Sequence, residues 1–196
     1  MANLPLEFFK MGYVLLYRNT KGDWMSNAIE KAQRDKGLSK EQAQYTHVEI
    51  SGGDEHSIYI RPPHSGVIDI RKAHAGRYIR LLRPKVYDID PLERKRLKVA
   101  YMSATQANLR YDWAGIAKFL IPFMFHEAKA FFCSEGCATA IQHQFPQYMD
   151  SVEPYKVMPG HFNNLETHTL IWEGEIPREH KFSMVIPNIV GMLGWL

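Results

Sequence analysis

The chain has 196 residues, a formal net charge of +3, 45% hydrophobic and 23% charged residues. That length suits one compact domain and is cramped for two, and the apolar fraction excludes a globally disordered chain. The mild charge argues against a nucleic-acid surface: Arg71, Lys72, Arg77, Arg80, Arg83 and Lys85, like Arg94, Lys95, Arg96 and Lys98, read as solvated faces.

The opening residues lack the basic start and apolar core of a signal peptide, and no run of about 18 apolar residues predicts a spanning helix. A cytoplasmic or virion-associated protein is expected. Gly12 to Tyr17 predicts a first buried strand. Asp23 then offers a cap to a helix in which Trp24, Met25, Ala28, Ile29 and Ala32 recur at helical spacing, stopped by Gly37. Tyr45 to Ile50 predicts a strand closed by a turn over Ser51 to Asp54. Ser57 to Ile60, Gly66 to Ile70 and Arg77 to Leu82 complete an antiparallel sheet.

Asp90, Pro91 and Glu93 start a helix that runs to about Asn108. Further helices are expected over Trp113 to Leu120 and from Cys133 to about Phe145, and a last strand over Thr167 to Trp172. Strand, helix, strands, helices and strand in that order make an α+β domain over residues 1–176. Residues 177–196 form an apolar tail interrupted by Pro187, Gly191 and Gly194. The tail suits docking on the body or on a protein partner, or an interfacial membrane contact through Trp195 with Arg178, His180 and Lys181 nearby.

The chemistry concentrates in Phe131-Phe-Cys-Ser-Glu-Gly-Cys137. A cysteine in the first turn of a helix feels the positive end of the helix dipole, which favours the thiolate, and the first-turn N–H groups can receive an oxyanion. Cys133 is placed to use that advantage, whereas Cys137, one turn later, reads as structural. His47 opens a strand after a polar loop and is the candidate imidazole, although spacing alone does not pair it with Cys133. Cys133 and Cys137 with His126 or His143 lack the paired spacing of a zinc site, so no metal or other cofactor is expected.

In order, these blocks resemble the circularly permuted NlpC-type papain-like cysteine enzymes, the group of the YiiX-like proteins and the relatives of lecithin:retinol acyltransferase, phage-encoded members included. The resemblance rests on Gly12-Tyr-Val-Leu-Leu-Tyr17, Tyr45-Thr-His-Val-Glu-Ile50, Gly66-Val67, Tyr111-Asp-Trp-Ala-Gly-Ile116, Phe132-Cys-Ser-Glu135 and Met158-Pro-Gly160, and spans about residues 12 to 172. It implies a papain-like fold and a peptidase or amidase. Cys133 would form an acyl-enzyme on a peptide, peptidoglycan or acyl substrate, with His47 as base. Ser134, beside the nucleophile, and Tyr111 would line the site, Tyr111 offering its hydroxyl to the oxyanion. Two features depart from the family. Tyr13 replaces the usual Asp, and Ser57 to Arg61 carries no acid where many relatives have a Glu to orient the imidazole. Glu49, two residues past His47 and so on the same strand face, is the expected replacement, with Tyr59 as fallback. Two other functions fit the same residues. One is a lipid-directed acyltransferase or deacylase using the tail and Phe119 to Phe125; the other is a catalytically silent phage structural or binding protein.

Overall fold

The computed structural model describes residues 5–20, 22–60, 66–89, 93–107, 110–111 and 130–178. Its centre is a six-stranded antiparallel sheet in the order β4-β3-β2-β1-β5-β8, formed by β1 (Val14–Arg18), β2 (Tyr45–Gly53), β3 (His56–Tyr59), β4 (Gly66–Asp69), β5 (Tyr78–Pro84) and β8 (His168–Glu175). Two-residue strands β6 (Arg110–Tyr111) and β7 (Ala130–Phe131) pair in parallel as a separate sheet. The helices are α1 (Trp24–Asp35), α2 (Lys40–Ala43), α3 (Ile70–His74), α4 (Val86–Ile89), α5 (Glu93–Ala107) and α6 (Cys133–Gln144). The α+β class and its antiparallel sheet are as expected. The helix expected over Trp113 to Leu120, the Phe119 to Phe125 segment and nearly all of the tail lie outside the described residues. Among the described residues, no helix is long and apolar enough to cross a membrane.

Three elements differ from the sequence reading. β2 runs on through Ser51 to Gly53, and the chain reverses at Gly53 (φ 93°) and Asp54 (φ 48°). Ile70, expected to end a strand, instead starts a helix over residues 70–74, because the Asp69 side chain accepts the Lys72 N–H at 3.1 Å and caps it. α1 is capped by Asp23 as expected, but Trp24 is exposed, and its buried residues are Ser26, Ala32 and Gln33.

Paired residues of an antiparallel ladder point to one side, so register divides the sheet into two faces. Leu15 and Tyr17 of β1 pair with Glu49 and His47 of β2 and with Leu81 and Ile79 of β5, and Ser57 of β3 joins them through Ser51. Val14, Leu16, Val48, Ile50, Ile58, Arg80 and Leu82 point to the other side.

α3 crosses the first face and reaches Glu49 through His74. The second face carries the other helices. Arg80 donates to Asn163 Oδ1 at 2.6 Å, next to the 3-10 turn Pro159–Phe162, and His168, paired with Pro84, bonds Tyr148 at 2.8 Å. α6 leads directly into Phe145 to Tyr148, and Ser134 at its other end donates to the Val157 carbonyl at 2.6 Å. With both ends so fixed, α6 lies on the second face, packed on β2 and α5.

Gly160 is where the 3-10 turn meets α1. A Cβ there would stand 2.7 Å from Leu38 Cδ2, 2.8 Å from the Gln42 carbonyl and 2.9 Å from Gln33 Oε1. Backbone is among the obstacles, so Gly160→Ala is expected to destabilise by about 1–3 kcal/mol, read by urea denaturation. A loss below about 0.5 kcal/mol would mean the turn moves aside freely.

Candidate functional site

Glu49 is 0% exposed, and four side chains converge on its carboxylate. Oε1 stands 2.9 Å from His47 Nε2 and 2.8 Å from His74 Nε2. Oε2 accepts from Tyr17 Oη at 2.7 Å and from Ser57 Oγ. An ionised carboxylate only accepts, so each imidazole is assigned its proton on Nε2, which leaves Nδ1 as the basic nitrogen. The strands explain the convergence. His47 and Glu49 are two residues apart on one pleat, Tyr17 is paired with His47, and Ser57 comes from the next strand. His74 arrives from α3 on the far side of the cluster.

Burial alone would raise the Glu49 carboxyl, but His74 and His47 beside it hold it well below the usual carboxylate range. Burial lowers His47 from an ordinary 6.5 to about 4, against the opposing pull of Glu49. Tyr17 is pushed well up by burial and then by the Glu49 charge. The working state is an ionised Glu49, with His47 held as a neutral base and Tyr17 as a neutral donor. Tyr59 stands edge-on to His47, ring centroids 5.6 Å apart, and 5.9 Å from His74.

Cys133 is the first residue of α6, after Phe132 in extended conformation, and no side chain caps that end. The thiol residue is 4% exposed. Cys137 is also buried, its thiol pushed well up by burial and then by Cys133 and Glu49, and the two cysteines form no disulfide. Ser134, expected to line the site, spends its hydroxyl on the Val157 carbonyl in the core. Tyr111 lies in β6, whose partner strand β7 ends two residues before Cys133.

Of the expected residues, the structure brings His47, Glu49 and Tyr59 together. It does not bring Cys133 to them: α6 packs on the Val48 and Ile50 side of β2, and the His47 ring points to the other side. His47 as a base in direct contact with Cys133 is therefore corrected. The expectation of Glu49 as partner of His47 holds in its geometry, at 2.9 Å. Sequence reasoning missed Tyr17, Ser57 and His74. Tyr17 and Ser57 were within reach once β1, β2 and β3 were aligned, but no local pattern marked His74. Among the described residues, no group of three His, Cys, Asp or Glu is arranged to hold a metal ion; His143 is exposed and bonded to Gln144, and His126 lies outside them. No protein-family model, curated protein or solved structure matches the chain.

Proposed function

We propose that the chain is a thiol hydrolase of the papain-like, permuted NlpC type, acting on an amide or ester bond with Cys133 as nucleophile. The observation that carries this reading is Cys133 at the first position of a twelve-residue helix without a side-chain cap, inside the Phe-Cys-Ser-Glu block that the resemblance singles out. The helix field favours the thiolate. Attack on the carbonyl carbon gives a thioester and releases the amine or alcohol, which takes up a proton; water then releases the acid and restores the thiol. First-turn N–H groups are oriented to receive the oxyanion. A second reading, a catalytically silent binding or structural protein of the same fold, is favoured by the sheet that stands between Cys133 and His47.

Alkylation separates the two. With dilute iodoacetamide at pH 6 to 7, Cys133 is expected to react at least about tenfold faster than Cys137, whose thiol is raised by burial. His47→Gln, which keeps a donor for Glu49, is expected to change the Cys133 rate by less than about twofold, because no proton passes directly between side chains on opposite faces. A sharp fall in that variant would return the base role to His47. Equal slow rates at both cysteines would favour the silent reading.

A further inference from the structure

We propose that the two imidazoles meeting on Glu49 Oε1 form an acid-released latch, which holds the crossing from β4 to β5, residues 70–77, against the sheet. This inference is independent of the chemistry at Cys133. The crossing is short: one five-residue helix, then Ala75, Gly76 and Arg77. The buried residues of its helix are Ile70 and His74, and His74 bonds Glu49 of β2; at its far end Arg77 donates to the Arg18 carbonyl of β1 at 3.5 Å, and Gly76 and Arg77 exchange backbone bonds with Ile176. The other imidazole on that oxygen, His47, comes from the sheet itself, so one carboxylate oxygen joins the crossing to β2.

Among the described residues, the titratable and charged neighbours set the direction; Cys137 of α6, within electrostatic reach of Glu49, stays a neutral thiol, pushed up by burial. Tyr17 of β1 stays neutral, its hydroxyl pushed up; Tyr59 of β3 lies against both rings; Glu49 of β2 is the anion. Arg77 lies over the Tyr17 ring at 4.9 Å and adds positive charge on the same side. On the crossing, Lys72 and Arg71 pair with Asp69 and Glu55, His56 stands opposite Asp69 in the ladder, and Arg178 approaches Gly76. A proton on the His47 ring adds a second cation beside Arg77, with the one Glu49 carboxylate to balance them.

The sign follows. His47 is held below its ordinary value in the closed state, so the stability this gives is complete above about pH 6.5 and is lost as pH falls towards 4. Opening the latch lets the ring hydrate and take up a proton. Each proton so gained favours the open state by up to about tenfold per pH unit in that window.

Hydrogen exchange of the full chain, corrected for intrinsic rates, tests this between pH 7 and pH 4.5. Protection over residues 70–76 is expected to fall by at least about tenfold from pH 6.5 to 5, while residues 14–18 and 79–82 in β1 and β5 keep most of theirs. His47→Gln keeps a donor for Glu49 without a titrating ring, and should flatten the pH dependence while leaving the crossing protected at pH 7. Asp69→Asn and His56→Gln should leave the slope in place. Loss of protection over the crossing and the central strands together at every pH would overturn the latch. So would an unchanged slope in His47→Gln, or a slope removed by Asp69→Asn or His56→Gln.

Discussion

Glu49→Ala should cost about 3–5 kcal/mol, the range seen when one member of a buried charged network is removed. At about 2–4 °C per kcal/mol for a domain of this size, the midpoint of thermal unfolding would fall by on the order of 10 °C. The cause is the number of donors left behind. His47, His74, Tyr17 and Ser57 all bond this carboxylate inside the sheet, and the substitution leaves each without its acceptor and opens a cavity. Glu49→Gln separates shape from charge. It restores the volume but turns one acceptor oxygen into an amide donor that faces two existing donors, so it should recover only part of the loss. Circular dichroism melts of the three proteins give the order wild type, Gln, Ala. A loss below about 1 kcal/mol for the alanine variant would mean that water replaces the carboxylate and that the cluster is open to solvent.

Gln33→Leu should cost about 2–4 kcal/mol, from three backbone groups left unpaired in the core. Gln33 is fully buried. Its Nε2 donates to the Ala43 and Tyr45 carbonyls, each at 2.9 Å, and its Oε1 accepts the Gly160 N–H at 2.6 Å. One amide thus joins α1, the entry to β2 and the 3-10 turn that covers the second face. Leucine is of similar size and more apolar, so a hydrophobic account of the core predicts a neutral or stabilising change; hydrogen-bond satisfaction predicts the opposite sign. Urea denaturation decides. Gln44→Ala, which removes an exposed bond to the Glu41 carbonyl, is the control and should change stability by less than about 0.5 kcal/mol.

Strands and caps were legible where a local rule sufficed. The β-branched and aromatic residues of Tyr45 to Ile50, the Asp23 cap and the apolar strand at Val14 each announce their structure without help from distant residues. The α1 face was misread for a physical reason. Trp24 fits helical periodicity but sits at the exposed start, whereas Gln33, outside the apolar pattern, is buried because two carbonyls and an amide need it. Ile70 was misread because a cap at Asp69 outweighs its strand propensity, whereas Ile68 lies in β4 as expected. Within the site, spacing by two was enough to pair Glu49 with His47, since a pleat puts alternate residues on one side.

By itself the sequence determined the α+β class, the antiparallel strands, the pairing of His47 with Glu49 and the place of Cys133 at the start of a helix. These follow from interactions between residues a few positions apart, where backbone geometry leaves few alternatives. The tertiary structure alone decided that His74, Tyr17 and Ser57 close around Glu49, and that α6 lies across the sheet from His47. Such relations depend on register and on which face each crossing covers. Both are set by the packing of distant segments, and a pleat that turns one side chain towards a helix turns its neighbour away.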